Sequence, residues 1–421
     1  MAIQTLWQVD IGTLAAPTDF TDRLLSMNIR QSVDVNVIGR GQATITLLNQ
    51  DGALTPGGGG TYSSNDWFAH GVFINATSYT PTGGSTVVTV FHGVVVDFDL
   101  KDDGVFSTVT ITALDGLTVA AKTVGSQIIA SYPYDEAYGQ LVDRNGIVFP
   151  RLGKSNAEGI VTSEYGFTQP EVGITGGTPD IYPTTYADAL QTYLIPSVND
   201  VTWATNIVAG SSNFANYNIR SLGSTTTREP AEQHTFEFDP PASLSGSKLP
   251  FDNDGFTQAF NNDTLINQAE IKGSSTGLTT QTSTNSSNTS YGNRTVQYTA
   301  TLNLADSEAL EVATRLTNRY STIRFNPVSL RTSAKLIYSR ADDAAQNKWA
   351  ALLGIRDGLW QKVKITWTGS GAASQTALCM LKGRNINVTP SDTIVTLELL
   401  NWYDNHGFIL DEDELDYGRL G

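Results

Sequence analysis

Gln42-Ala-Thr-Ile-Thr-Leu-Leu48 carries β-branched residues in period two and stops at Asn49-Gln-Asp51-Gly52, a turn signal in which glycine supplies a positive φ. Strands closed by such turns account for the first 120 residues. Ser32–Val37 alternates loosely, and Thr55-Pro-Gly-Gly-Gly-Gly60 is a loop that is flexible or lies close against another backbone. Trp67-Phe-Ala-His-Gly-Val-Phe-Ile-Asn-Ala76 reads as a strand entered through a glycine. Val87–Leu100 is a longer apolar strand with Gly93 inside it, and Phe106–Leu114 (FSTVTITAL) alternates cleanly to Asp115-Gly116.

Composition agrees with a β-rich chain. The 421 residues are 40% hydrophobic and only 16% charged, with 38 Gly and short apolar runs set among Thr, Ser and Asn. That length allows roughly two to four domains of about 100–200 residues. A single cysteine, Cys379, excludes a disulfide framework and a thiolate zinc site. No run approaches the ~18 apolar residues of a membrane helix. The opening residues, MAIQTLWQVDIG, lack the basic and apolar regions of a signal peptide, which predicts a chain made and folded in a cytoplasm. With 26 Lys+Arg against 42 Asp+Glu the formal net charge is −16, so the chain repels nucleic acid instead of binding it non-specifically.

From about 121 to 235 aromatics, Gly, Pro and Asn dominate, and the one clear helical pattern is Thr185-Tyr-Ala-Asp-Ala-Leu-Gln-Thr-Tyr193, ended near Pro196. This reads as an inserted, loop-rich domain, left through the turn-rich stretch Pro230–Gly255. The Ser/Thr/Asn tract 273–293 reads as a long mobile loop between two strands. Asp306–Tyr320 is the strongest helix pattern: Leu310, Ala313, Leu316 and Tyr320 share a face, acids lead, and Arg315 and Arg319 finish it as the dipole favours. Strands follow at 331–339, 361–367, 376–387 and 393–401. The closing DEDELDYGRLG is a solvated acidic tail. The expected division is a β domain over 1–120, the insertion over 121–235, a second β domain over 236–405 with helix 306–320, and a tail over 406–421.

The two β domains echo each other. Gly71-Val72-Phe73-Ile74-Asn75-Ala76 is matched by Lys362-Val363-Lys364-Ile365-Thr366-Trp367, each a few residues after a Trp (Trp67, Trp360). Val90-Phe91-His92-Gly93 parallels Met380-Leu381-Lys382-Gly383, and Val109-Thr110-Ile111-Thr112 parallels Val395-Thr396-Leu397-Glu398. The glycine-to-strand gap is 16 residues in the first copy and 12 in the second. Three matches in one order suggest a duplicated β domain flanking an insertion.

Catalytic constellations are missing. His70, His92, His234 and His406 are far apart, without HExxH or a helical His pair. No GxSxG surrounds a serine, and the glycines at 57–60 lack the Lys-Ser/Thr of a phosphate loop. Asp252-Asn-Asp254-Gly255 begins like a calcium loop but lacks the distal glutamate, and reads as an Asx-turn. Asp97/Asp99 and Asp102/Asp103 read as solvated strand or turn residues, not as a glycosidase pair. No catalytic, cofactor-binding or metal-binding residue is therefore assigned, and no cofactor is expected. Tyr132, Tyr134, Tyr138, Tyr165, Tyr182, Tyr186, Trp203 and Tyr217 in the insertion form either its core or a contact surface for protein or carbohydrate.

The segment Gly41–Pro56 with its glycine-rich sequel, the strand at 70–76, Phe91-His-Gly-Val-Val95 and Val109-Thr-Ile-Thr-Ala-Leu-Asp-Gly-Leu117 together resemble the opening of tail-tip hub proteins (minor tail proteins) of long-tailed bacteriophages. Helix 306–320, the strand 331–339, Trp349–Leu353, Gly358-Leu-Trp-Gln-Lys-Val363, Gly383 and Val395-Thr-Leu-Glu-Leu399 resemble the family's closing domain. The likeness covers roughly the first and last 120 residues. It implies a mainly β fold, with two tail-tube-like β-barrel domains flanking the inserted loop-rich domain. It also implies a homotrimer whose six barrels form a pseudo-sixfold ring in the virion tail tip, assembled in the host bacterial cytoplasm. Implied partners are the tail tube or distal tail protein ring, the tape-measure protein, and lower tip or fibre proteins. DNA would pass through the lumen without specific binding, and nothing would insert into a membrane. Some hubs add a peptidase or a receptor-binding extension; the chain stops at Gly421, so neither is expected. A structural, non-enzymatic hub is the leading reading. A carbohydrate-binding adhesin using residues 121–235 is the alternative, with loss of glycan binding in Trp203→Ala as its signature. A glycan hydrolase stands third.

Overall fold

Alternation along Gln42–Leu48 turns Ala43, Ile45 and Leu47 inward, all fully buried, with Thr44 and Thr46 between them only partly covered. A computed structural model extends this arrangement. It describes residues 5–13, 16–34, 37–62, 67–79, 84–102, 106–115, 236–241, 248–260, 265–273, 276–285, 292–300, 305–321, 325–340, 343–354, 362–368 and 374–401, together with short strands between 132 and 221. The chain is mainly β.

The first copy contains β1 (Leu6–Thr13), β2 (Ala16–Asp19), β3 (Leu24–Asp34), β4 (Val37–Leu48), β5 (Gly71–Tyr79), β6 (Ser85–Asp102) and β7 (Ser107–Leu114). They pair antiparallel in the order β2-β1-β5-β6-β7-β4-β3. After β4 the chain turns at Gly52 (φ 64°), and Asn49 Oδ1 accepts the Leu54 N–H at 2.8 Å. The following loop packs on its own copy: Tyr62 and Trp67 meet Phe20, and Trp67 meets Phe98.

Between the copies lie β8 (Tyr132–Pro133), β9 (Leu152–Gly153), β10 (Ala157–Glu158), β11 (Glu171–Val172), β12 (Val201–Asn206) and β13 (Ala215–Ser221). β12 and β13 form a hairpin, and β12 reaches β4 where Trp203 stands opposite Ile38. The helix expected at 185–193, Tyr134, Tyr138, Tyr165, Tyr182 and Tyr186, and the tail 406–421 lie outside the described residues.

The second copy comprises β14 (Phe236–Asp239), β15 (Leu249–Pro250), β16 (Asp252–Phe260), β20 (Phe325–Ser333), β21 (Lys362–Thr368), β22 (Ser374–Val388) and β23 (Thr393–Asn401). Its order, β14-β21-β22-β23-β20-β16, repeats β1-β5-β6-β7-β4-β3 of the first copy. One pairing differs: β14 runs parallel to β21, whereas β1 is antiparallel to β5. The duplication suggested by the sequence is therefore present in the topology, and its alignment needs one correction. A β-bulge interrupts β6–β7 between Val95/Ala113 and Asp97/Thr112, and another interrupts β22–β23 between Leu381/Leu399 and Gly383/Glu398. Superposing the bulges brings both hairpin turns into step, with Asp102/Ser107 on Val388/Thr393. Gly383 then corresponds to Asp97 and not to Gly93, and the unequal gap disappears.

Two excursions distinguish the second copy. After β16, a small sheet of β17 (Gln268–Gly273), β18 (Gln281–Thr284) and β19 (Thr295–Ala300) packs on helix α1 (Asp306–Tyr320). β18 lies within the tract 273–293, read above as a mobile loop. The helix buries Ala309, Val312, Ala313 and Leu316, an i, i+3, i+4, i+7 stripe, against Ala269 and Ile271. Leu310, expected on that face, sits about 100° round the helix and is exposed. The second excursion, α2 (Ala334–Arg340) and α3 (Asp343–Leu353), follows β20. A strand was expected over 331–339. Instead, Ser333 Oγ accepts the Leu336 N–H and Asp392 Oδ1 the Lys335 N–H, so side-chain caps turn the chain into a helix after Ser333.

Among the described residues neither copy closes into a barrel of hydrogen-bonded strands. β22 pairs with β21 along its first half and with β3 of the first copy along Gly383–Val388, joining the copies into one open sheet. One hydrophobic core runs through both, from Val9, Ile29 and Ile45 to Leu330, Ile365 and Leu397.

Candidate assembly site: the seam between the copies

The β3–β22 ladder is the seam's backbone, with Ile29 opposite Ile386 and both fully buried. Arg384 lies beside it. Along β22, Arg384, Ile386 and Val388 share the buried face, so a guanidinium is carried into the core. Its Nε donates to Gln31 Oε1 on β3 at 2.8 Å, its Nη2 to the Val90 carbonyl on β6 at 3.4 Å, and its Nη1 to the carbonyls of Gly354 (2.9 Å) and Leu352. The last two are carbonyls that α3 leaves unpaired at its C-terminus, where a cation is favoured. Burial pulls the guanidinium down to about 9, so Arg384 stays charged at neutral pH, held by carbonyl and amide oxygens.

Helices of the second copy complete the seam. Trp349 of α3 is fully buried and its Nε1 donates to Thr5 Oγ1 at 3.0 Å. The Tyr338 hydroxyl of α2 bonds both Thr5 Oγ1 (3.2 Å) and Ser78 Oγ (3.0 Å), and Trp7 Nε1 donates to Thr393 Oγ1 at 3.0 Å. Each bond crosses between copies.

A groove of about 1200 Å³ opens on the same seam, lined by Trp7, Asp252, Arg331, Lys335, Tyr338 and Asp392 among others. Three of its charged side chains, Arg331, Asp252 and Asp392, are already engaged. Arg331 Nη2 donates to Asp252 Oδ2 at 2.6 Å, and Asp392 Oδ1 accepts the N–H groups of Lys335 and Thr393. Asp252 Oδ1 accepts the Asp254 N–H at 3.2 Å, an Asx-turn. Among the described residues no three His, Cys, Asp or Glu side chains group to hold a metal, and no helix is long and apolar enough to cross a membrane.

The other residues weighed from sequence do not converge. His92 meets the Phe73 ring edge-on at 4.2 Å and His70 meets Trp67 at 6.0 Å. Asp97 and Asp99 are exposed on β6. His234, His406 and Asp103 lie outside the described residues, as do the side chains of Tyr132, Trp203 and Tyr217. Cys379 is buried, which pushes its thiol pKa up and leaves it protonated. Sequence reasoning missed Arg384, although a signal was present: an arginine at the apolar phase of Arg384-Asn-Ile-Asn-Val388.

No protein-family model matches the chain, and no curated protein matches it in sequence. Solved structures do match in fold. A tail protein from Neisseria meningitidis MC58 aligns with a TM-score of 0.55 at 10% identity, covering 94% of this chain and 96% of that one. The 43 kDa tail protein of prophage MuSo2 from Shewanella oneidensis aligns with a TM-score of 0.50 at 9% identity, covering 94% and 98%. A chain of the PdpA–VgrG complex aligns with a TM-score of 0.50 at 10% identity, over 95% of this chain and 66% of that one. The chain has the fold of phage tail proteins.

Proposed function

We propose that the chain is a structural protein of a phage tail, acting as a trimeric hub at the tail tip and carrying no enzymatic activity. The observation that supports this most is the duplication: one chain holds two copies of one sheet in the same strand order, joined edge to edge. Three such chains offer six similar units, a geometry able to meet a sixfold tube on one face and a threefold tip on the other. A net charge of −16 suits a conduit through which DNA slides. Its neighbours would be a tail-tube or distal-tail ring above and tip or fibre proteins below, with residues 121–235 as the segment available for contacts specific to this chain.

Electron microscopy of the purified chain, with mass from light scattering on the same sample, tests this. The expected result is a three-chain ring with six lobes around a central hole. A stable closed monomer or dimer that binds glycans, and loses them in Trp203→Ala, would overturn the hub in favour of an adhesin.

A further inference from the structure

The seam inside the chain has an unused counterpart at its two ends. β22 along Gly383–Val388 is covered on its outer edge by β3. The equivalent stretch of β6, beginning at Asp97, pairs with β7 on one side, and β5 stops at Val94 on the other. Likewise β3 is covered by β22, whereas its equivalent β16 pairs only with β20 among the described residues. The buried surface follows the same rule. Ile386 and Ala43 are fully buried at the internal seam; their equivalents Leu100 and Val328 are 42% and 38% exposed. The Phe98 N–H is taken up by its neighbour's carboxylate, Asp97 Oδ1 at 2.9 Å, where Arg384 at the same place in β22 stands opposite Gln31 of β3. Two edges without a strand partner among the described residues, each flanked by an exposed aliphatic side chain and each the repeat-mate of a paired edge, are complementary to one another.

We infer that β16 of one chain adds to the outer edge of β6 in a second copy, reproducing the β3–β22 ladder between molecules. The register follows from the internal one. Thr44 pairs Asn28 as Ser329 pairs Thr257, and Gln42 pairs Arg30 as Pro327 pairs Gln258. Arg30 faces Asn385, whose equivalent is Asp99. Gln258 of one chain therefore stands opposite Asp99 of the next, Ala259 opposite Phe98, and Leu100 and Val328 are covered together. The contact is head-to-tail, so it closes into a ring when the rotation per chain permits. This rests on the ring proposed above and names the strands that would build it.

Cysteine pairing in the full-length chain tests the register. Asp99→Cys and Gln258→Cys lie on exposed strand positions, and directly opposed residues on antiparallel strands come within disulfide reach. Cys379 is buried and does not compete. Under copper–phenanthroline, each single variant alone is expected to stay unlinked, a mixture of the two to give a covalent dimer, and the double variant to give covalent rings without free engineered thiols. Leu100→Asp, leaving circular dichroism unchanged, is expected to weaken association at least tenfold. A chain that is trimeric by light scattering yet unlinked in the double variant overturns the strand pairing and leaves the ring standing. A single variant that links to itself shows a twofold contact and overturns the pairing as well. A chain that stays monomeric and unlinked overturns both.

Discussion

The two copies make the same connection by different means. In the first, β4 passes to β5 through a glycine-rich loop whose aromatic residues fold back on their own copy: Tyr62 and Trp67 against Phe20, Trp67 against Phe98. In the second, β20 passes to β21 through α2 and α3, whose key side chains serve the other copy: Trp349 to Thr5, Tyr338 to Thr5 and Ser78. One connection is a lid and the other a clamp, so damage to them should spread differently. Trp349→Ala is expected to cost about 3–5 kcal/mol by urea unfolding, since it removes a fully buried ring. Amide protection should fall in β5 and β6, although the substitution lies in the other copy. Trp67→Ala removes a similar ring, but its protection loss should stay within the first copy. Unchanged protection of β5 and β6 in Trp349→Ala would sink the clamp.

Arg384 sharpens the same contrast, because its partners come from both copies and from the clamp. Replacing it with Met leaves the carbonyls of Leu352, Gly354 and Val90 and the Gln31 amide oxygen without their donor, at about 1–3 kcal/mol for an unsatisfied buried group. A double-mutant cycle with Gln31→Ala should return a coupling of about 0.5–3 kcal/mol. Additive effects would mean that the guanidinium acts through the backbone carbonyls of Leu352, Gly354 and Val90 and not through Gln31.

Strand content was legible where alternation and turn chemistry agreed, as in Gln42–Gly52 and Phe106–Leu114, because period two and a positive-φ glycine are local properties. Helix boundaries at Asp306 and Tyr320 were legible for the same reason, but its buried face was not: Leu310 lost to the smaller Ala309 because β17, a distant strand, decides which side is covered. The turn into α2 depended on Asp392, nearly sixty residues beyond it, which no local pattern reveals. The seam was legible only as an out-of-phase arginine, since pairing between β3 and β22 spans most of the chain.

The repeat alignment supplies a gentler test. Gly93 and Gly383 looked equivalent in sequence, but different neighbours surround them. A Cβ on Gly93 would lie 2.5 Å from the Leu114 carbonyl oxygen and 2.7 Å from the Phe91 ring; one on Gly383 would meet first the Glu398 carboxylate at 2.9 Å, the end of a side chain that can swing away. Gly93→Ala should therefore cost about 1–3 kcal/mol and Gly383→Ala less, by thermal or urea unfolding. Equal losses would mean that the two sites are crowded alike.

The smallest effect separates the two arginines that pin the two connections. Arg384 is buried and pins the clamp; Arg23 pins the glycine-rich loop from the surface, its Nη1 and Nη2 gripping Asp51 at 2.8 and 2.6 Å. The Arg23 guanidinium holds the Asp51 carboxyl well below the usual carboxylate range. Between the ordinary value near 3.9 and that depressed one, the unfolded chain binds the extra proton, so the pair's contribution is complete above about pH 4 and is lost as pH falls further. Asp51 is 54% exposed, which limits the contribution to about 0.2–1 kcal/mol and makes it sensitive to salt. Arg23→Met should thus lower stability slightly at pH 7, and the gap to the unaltered chain should close on acidification or in molar salt. A gap that is as large in molar salt and does not narrow at all on acidification would mean that Arg23 acts through its bond to the Leu48 carbonyl, as Arg384 acts through carbonyls, and that both connections are pinned alike.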